Sequence, residues 1–493
     1  MNRRMIAYVL GCLLLCEAGL LLFPTIISLI YSEATTQSFL ITIGAVIVSA
    51  LILIKFKPKD TTIYARDGLV IVSLGWIVLS LFGALPFYIS GEIPHFIDAL
   101  FETVSGFSTT GSTILSDVEV LSKSIIFWRS FTHWIGGMGV LVFVMAVLPL
   151  AGGGGDIHLM RAESPGPTVE KLVPRSSKSA RILYGIYIGF TVTEFLLLFI
   201  GGMPAFDAIT LTFGTVGTGG FGILNSGIAS YSLYSQIVIM IFMILCGINF
   251  NVYFLLLLRR FKDAFKSSEL KAYFGIIIGA IILITINVRD YFDTLYEAFH
   301  HTAFQVSAVI TSTGYSTVDF NEWPVAAKTI MLTVMFIGAC AGSTGGGFKV
   351  SRVMLLLKNA AKEIRSIAHP RSVKVLTFEG KKVSNETLKS TCAYLIIYVA
   401  VFATSLIIVS FDKMDFTSNF AGVLTTLNNI GPGLNVTGPA GNFGDYSVLS
   451  KLVFIANMLI GRLEIFPIIC LLTPSRQTVN FFKSFNRKRG KMK

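Results

Sequence analysis

Charge is what this chain has least of. Only 14% of its 493 residues are Asp, Glu, Lys or Arg, where a soluble domain carries about 25%. With 53% hydrophobic residues, this excludes an ordinary soluble domain and predicts a polytopic membrane protein. Cysteine is scarce as well. Cys12, Cys16, Cys246, Cys340, Cys392 and Cys470 all fall in or beside apolar segments, and none forms a CxxC pair. That pattern supports neither a disulfide framework nor a zinc site. The six histidines have no metal-ligand spacing, and the adjacent His300 and His301 would point to different faces of a helix. Enzyme signatures are missing too: there are no paired intramembrane carboxylates, no HExxH and no nucleophile elbow. The sequence therefore predicts no enzyme and no organic cofactor.

The net charge of +12 is clustered between apolar spans. Such blocks fit the positive-inside rule and argue against a nucleic-acid partner. About 26 apolar residues follow Met1-Asn2-Arg3-Arg4, too long for a typical signal segment, so they read as a first span. The apolar stretches 5–30 and 39–54 form an inside-to-inside hairpin. Three kinds of segment then recur: a full span, a half-length apolar piece and a returning span. The spans are 69–89, 182–200, 273–288 and 388–409. The half-length pieces are 96–107, 206–216, 295–310 and 416–427. The returns are 125–150, 237–258, one beginning at 325–338, and 448–472.

Between each short piece and its return lies a glycine loop. The four are Thr109-Thr110-Gly111-Ser112-Thr113, Thr218-Gly219-Gly220-Phe221-Gly222, Ser312-Thr313-Gly314-Tyr315-Ser316 and Asn429-Ile430-Gly431-Pro432-Gly433. Glycine stands third in each, and the separations of 109, 94 and 117 residues suggest one unit repeated four times. Asp98 and Asp207 each lie 13 residues before their glycine. One such loop by itself is an ordinary turn. Four in register imply a shared cavity, because irregular backbone is not tolerated facing lipid. Each short helix would aim its negative C-terminal end at that cavity. The loops carry no Asp or Glu, so a divalent ion is not expected. A ring of backbone carbonyls suits a monovalent cation, and potassium is the natural choice. Acidic residues such as Glu92, Asp98, Glu102, Asp117 and Asp207 on the loop side would make an acidic mouth that concentrates cations.

The stretch 338–347, Gly-Ala-Cys-Ala-Gly-Ser-Thr-Gly-Gly-Gly, interrupts the third return. A helix does not run easily through so many glycines. Lys349 follows Phe348, so no phosphate-binding loop forms. The break would lie just internal to the glycine loops. Arg462, with Glu464 two residues on, lies within the last apolar stretch, where a charge is costly and usually faces a cavity. Arg129 is expected to brace a loop from the first return.

These residues carry a resemblance. Phe101-Glu102-Thr103-Val104-Ser105-Gly106-Phe107-Ser108-Thr109-Thr110-Gly111, His133-Trp134-Ile135-Gly136-Gly137-Met138-Gly139, Gly219-Gly220-Phe221, Ser312-Thr313-Gly314-Tyr315-Ser316, Ala341-Gly342-Ser343-Thr344-Gly345-Gly346-Gly347 and Asn428-Asn429-Ile430-Gly431-Pro432-Gly433 together resemble the Trk/Ktr/HKT superfamily of potassium transporters. The chain is most like the bacterial Trk membrane subunit, and the extra N-terminal hairpin favours Trk over Ktr. The resemblance implies an all-α polytopic fold of four pseudo-repeats around a central pore, plus that two-helix hairpin. The divisions expected are 1–60 for the hairpin, then 61–165, 166–266, 267–375 and 376–493 for the repeats. The third would hold an intramembrane gating loop at 338–348, and the fourth a basic cytoplasmic tail.

By the same resemblance, the filter oxygens come from Thr110 and Gly111, Gly219 and Gly220, Thr313 and Gly314, and Ile430 and Gly431. Thr109, Ser112, Thr218, Phe221, Ser312, Tyr315, Asn429 and Pro432 would support them. Gly342, Ser343, Thr344, Gly345, Gly346, Gly347 and Arg462 would form the gate. The implied cargo is K+ and the implied site a prokaryotic inner membrane, with both termini cytoplasmic. The implied partners are the lipid bilayer, a second copy in a homodimer, and a TrkA-like cytoplasmic nucleotide-binding regulatory subunit. That subunit would act on the basic segment 349–389. Sodium- or proton-coupled symport is the alternative. It needs a titratable group in the path, where only Arg462 and Glu464 stand out.

Overall fold

The computed structural model describes residues 2–56, 58, 65–139, 176–369 and 375–472. Arg161, Lys171 and Arg175 between the first two repeats, Arg371 and Lys374 within the basic segment 349–389, and the expected basic tail from 473 lie outside the described residues.

The N-terminal hairpin consists of α1 (Arg3–Leu20), α2 (Leu22–Ile30) and α3 (Thr36–Ile54). Gly11 lets α1 and α3 touch, since a Cβ there would meet Ile54 at 2.7 Å and the Ala50 carbonyl at 3.0 Å. Small residues commonly permit such close packing in membranes.

The next elements recur in one order. The first set is α4 (Ala65–Gly83) with α5 (Leu85–Ile89), α6 (Phe96–Phe107) and α7 (Lys123–Gly137). The second is α8 (Ser176–Ile200), α9 (Ala205–Gly217), α10 (Leu233–Cys246) and α11 (Phe250–Leu257), followed by the short α12 (Phe261–Lys266). The third is α13 (Ser268–Val288), α14 (Leu295–Ile310), α15 (Val325–Ile337) and α16 (Val350–Ala368). After a two-stranded hairpin, β1 (Thr377–Phe378) and β2 (Lys381–Lys382), come α17 (Asn385–Val409), α18 (Phe416–Asn428), α19 (Val448–Arg462) and α20 (Phe466–Leu472). The little hairpin is the one departure from an all-helical chain among the described residues.

The long helices face outward with apolar side chains. On α17, Ile396, Val399 and Ile407 are exposed, as a lipid-facing surface requires. The short helices α6, α9, α14 and α18 have 12, 13, 16 and 13 residues. At 1.5 Å per residue these reach roughly 18–24 Å, short of the ~30 Å hydrocarbon core. Their C-terminal halves are buried and rich in hydroxyls that turn back onto their own helix. Thr103, Thr215, Thr311 and Thr426 donate to the carbonyls of Ala99, Leu211, Ser307 and Gly422 at 2.7–2.9 Å. Polar side chains are thereby satisfied without water.

The second and fourth returning spans differ from the expectation of continuous helices, while the third stops where the glycine-rich stretch is expected to interrupt it. Helix α7 ends at Gly137, and the remainder of the return expected over 125–150, from residue 140, lies outside the described residues. Helices α10 and α11 meet at 91° across Gly247-Ile248-Asn249. Helix α15 stops at Ile337, and α19 stops at Arg462, where Glu464 (φ 57°) and Ile465 (φ 62°) turn left-handed before α20. Gly338, left-handed at φ 73°, ends α15, and Asn249 caps the N-terminus of α11 by accepting from Asn251 N–H. Among the described residues six helices are long and apolar enough to span a membrane, or seven with the bent pair counted as one.

Candidate functional site: four loops closed into a ring

Each short helix ends the same way. Thr109, Thr218, Ser312 and Asn429 adopt left-handed backbone at φ 55°, 56°, 57° and 54°. The next residue donates its N–H five residues back: Thr110 to Ser105, Gly219 to Gly214, Thr313 to Ala308 and Ile430 to Thr425, at 2.8–2.9 Å. This is the long-range bond of a Schellman helix end. Left-handed backbone normally selects glycine, and here it falls on three hydroxyl residues and an Asn. The strain, of order 1–2 kcal/mol per residue, is held by the surrounding bonds at all four loops.

The third residue is glycine because the loops touch there. Gly111, Gly220, Gly314 and Gly431 have φ of 79°, 79°, 82° and 99°. A Cβ on Gly111 would collide with the carbonyl oxygen of Gly219, one on Gly220 with that of Thr313, and one on Gly314 with that of Ile430. A Cβ on Gly431 would lie 2.8 Å from the carbonyl oxygen of Thr110. Each loop therefore abuts the next, and the fourth closes on the first. The four carbonyls at the contacts, Thr110, Gly219, Thr313 and Ile430, come from one position in each loop.

Side chains tie the ring together. Ser112 Oγ donates to the Gly431 carbonyl at 3.1 Å. Asn429 Nδ2 donates to Thr110 Oγ1 and to the Met458 carbonyl, each at 2.9 Å. Tyr315 Oη donates to the Leu211 carbonyl at 3.1 Å, joining the third loop to the second short helix. Thr218 Oγ1 and Ser312 Oγ donate to the Gly217 and Thr311 carbonyls at 2.7 and 2.6 Å. Pro432 packs against the third loop, its Cδ 2.7 Å from where a Cβ on Gly314 would sit. His133 has a role the sequence did not reveal. Its Nδ1–H donates to the Gly106 carbonyl at 2.8 Å, and its Nε2 accepts from Phe221 N–H at 3.2 Å. It thus links the first short helix to the second loop as one fixed tautomer.

Arg129 takes the bracing place expected of it. It pairs with Glu102 at 2.5 Å, donates to the Gly222 carbonyl at 2.8 Å, and lies 3.6 Å from the centre of the Phe221 ring. Glu102 also accepts from Thr113 Oγ1 and Ile114 N–H at 3.0–3.1 Å. Glu102 is therefore no part of an acidic mouth. Several other acids on that side are also occupied: Asp98 pairs with Lys451 at 2.6 Å, and Asp207 accepts from Tyr231 Oη at 3.1 Å. Asp415 caps α18 through Ser418 N–H at 3.1 Å. Carboxylates at helix N-termini are consumed by the helix they cap. Asp117 remains exposed, its carboxyl held below the ordinary range by bonds from the Asn225 side chain and Glu119 N–H.

The glycine-rich stretch lies directly against the ring. Gly346 N–H donates to Ser312 Oγ at 2.5 Å. Gly345 and Gly346 have no room for a Cβ, which would sit 2.7 Å from the Thr311 carbonyl or 2.6 Å from that of Asn428. The break in the second return grips the stretch as well: Phe250 N–H donates to the Gly342 carbonyl at 2.9 Å, and Thr344 Oγ1 to that of Cys246 at 3.2 Å. Ser343 Oγ bonds the Cys340 carbonyl at 2.7 Å. Gly347 turns left-handed at φ 81° against Gly338, closing the excursion. Lys349 Nζ reaches back to the Gly345 carbonyl.

Arg462, at the end of α19 rather than mid-span, donates to the Thr344 carbonyl and to the Gly137 carbonyl, each at 2.8 Å, and to that of Gly136. Glu464 pairs with Arg352 of α16. Lys349 and Arg352, which open the basic segment expected to face a partner, are instead buried, as is Glu269; an ionisable residue beside an apolar span is the available signal. Glu17 is also buried, without a hydrogen-bond partner among the described residues, against Leu79, Phe107, Trp128 and Ile135. This places it behind the first short helix.

A multi-pass membrane protein with this arrangement has counterparts among transport proteins. The TrkH family model, described as cation transport protein, matches residues 32–480, and the chain belongs to that family. It is 35% identical to the Trk system potassium uptake protein TrkH of Salmonella typhimurium and equally to that of Escherichia coli K12, over 96% of this chain and 99% of each relative. It is 32% identical to Trk system potassium uptake protein TrkG of Escherichia coli K12, over 95% of this chain and 97% of that one. The crystal structure of the potassium transporter TrkH from Vibrio parahaemolyticus superposes with a TM-score of 0.84 at 31% identity, covering 96% of this chain and 99% of that one.

Proposed function

We propose that this protein carries potassium across a prokaryotic inner membrane through the ring of loop carbonyls. The observation that supports this most is the closure of the ring, glycine against carbonyl, in the order first, second, third, fourth, first. Four main-chain oxygens from Thr110, Gly219, Thr313 and Ile430, with those of Gly111, Gly220, Gly314 and Gly431, replace a hydration shell without a formal charge. A monovalent cation is bound firmly enough to enter and loosely enough to leave.

The stretch 342–347 acts as the gate. Its contacts with Ser312 and with the helix-end carbonyls of Thr311 and Asn428 support this reading, in which Arg462 both holds the stretch and repels cations there. A TrkA-like nucleotide-binding subunit on the basic side, and a homodimeric state, complete the reading. The names of the chain's relatives support potassium as cargo and a Trk-type assembly. Rubidium uptake into proteoliposomes without any sodium or proton gradient tests it. Uptake that requires such a gradient would favour coupled symport instead.

A further inference from the structure

The hairpin β1–β2 touches α16 at exposed Lys358, and its turn reaches the glycine-rich stretch through two carboxylates. Glu379 (φ 49°) and Gly380 (φ 73°) make the two-residue turn, whose left-handed pair suits a tight hairpin. Glu379 Oε1 accepts three bonds at the start of α13: from Ser267 Oγ at 3.1 Å, Ser268 Oγ at 3.0 Å and Glu269 N–H at 2.9 Å. The side chain of Glu269 points the other way. Its Oε1 accepts from Ala341 N–H at 2.8 Å and from Ser351 N–H at 3.1 Å. Those two residues flank the stretch 342–349, so one carboxylate oxygen staples both of its ends. The hairpin is in turn fastened to α16, the helix the stretch runs into. Lys358 Nζ donates to the Thr377 carbonyl at 3.2 Å and lies 5.5 Å from the ring centre of buried Phe378. The links form a closed circuit: stretch, α16, Lys358, hairpin, Glu379, α13, Glu269, stretch.

We propose that Glu379 is a positioning residue for the gate, acting through Glu269, so that displacing the hairpin loosens both ends of the stretch 342–349 together. This rests on the reading of 342–347 as the obstruction. A charge-assisted acceptor is stronger than a neutral one and directional. Removing it frees Glu269 N–H and two hydroxyls at a helix start, and the anchor of the staple shifts with them. A cytoplasmic partner that moves the hairpin then has mechanical access to the gate without touching it.

Cys340 supplies a native reporter, being buried at 1% exposure beside Ala341. The test compares full-length wild type, Glu379→Ala and Glu379→Gln in proteoliposomes, without any partner. N-ethylmaleimide labelling of Cys340 is read by peptide mass spectrometry, and rubidium uptake is measured in parallel. Glu379→Ala should raise both by about tenfold. Glu379→Gln keeps an oxygen acceptor, so it should fall between Glu379→Ala and wild type, which a merely misfolded variant would not do. Wild-type labelling and uptake in Glu379→Ala would overturn the proposal and leave the gate reading intact. Faster labelling with unchanged uptake would keep the staple and overturn the reading of 342–347 as the obstruction.

Discussion

Arg462 donates to the carbonyl of Thr344 at 2.8 Å, so the last return helix holds the glycine-rich stretch of the third repeat. The same guanidinium reaches the carbonyls of Gly136 and Gly137, where the first return ends. One cation thus joins the ends of the first and last return helices to the glycine-rich stretch of the third. Arg462→Ala removes both the tie and the positive charge. Rubidium uptake by the partner-free protein should rise several-fold. Arg462→Lys, a point charge that cannot fork to several carbonyls, should give an intermediate rise. Wild-type uptake in both variants would show that Arg462 does not restrain the stretch.

The Glu102–Arg129 pair is wholly buried, and its partners include two loops. Arg129→Ala leaves a buried carboxylate uncompensated and should cost about 3–5 kcal/mol of stability. Glu102→Leu combined with Arg129→Met should recover part of that loss. Thermal unfolding in detergent measures both, and the account fails if the single variant is as stable as wild type.

His133 spans two repeats with one donated and one accepted bond. In His133→Ala, Phe221 N–H and the Gly106 carbonyl are left buried without partners, at about 1–3 kcal/mol each. The second loop should loosen, and discrimination of potassium over sodium should fall by about tenfold. Tyr315→Phe removes a single donated bond of about 1 kcal/mol and should lower discrimination less. Isotope competition in proteoliposomes ranks them; equal effects would contradict this apportioning.

Asp415 lies outside the spans at the start of α18. Burial pushes its carboxyl up, but bonds from Ser418 and Asn435 outweigh that and hold it below the ordinary range. A depressed folded value means stability present above the unfolded value of about 3.9 and lost as pH falls through the folded one. Unfolding temperature should therefore fall from pH 5 to pH 3, and fall less in Asp415→Asn. An identical acid profile for the two proteins would show that Asp415 contributes nothing to it.

The loops were legible because two signals coincide at each: an apolar piece too short to span, and a glycine in third place. The helix ends follow from those signals, but the left-handed residue ahead of each glycine does not. Thr109, Thr218 and Ser312 are residue types that ordinarily avoid that backbone, and only neighbouring loops impose it. The breaks in the returns were legible once, at 338–347, where glycine is dense. Gly247 stands among apolar residues and looks like a packing position, so apolar period alone joined two helices that the structure separates. The acidic residues were visible as a set, but which ones are consumed as caps or pairs depends on partners far along the chain, as with Asp98 and Lys451. Glu269 and Lys349 sit at the edges of apolar stretches, where a charge reads as a boundary rather than a tether.

The central claim is that oxygens from four loops hold one dehydrated cation. Anomalous diffraction from crystals grown in rubidium tests it most directly. The account predicts density inside the ring, flanked by the carbonyls of Thr110, Gly219, Thr313 and Ile430, and weakened in Gly220→Ser, whose side chain would displace the Thr313 oxygen. Strong density elsewhere in the bundle with none at the ring, in protein that still takes up rubidium, would contradict it.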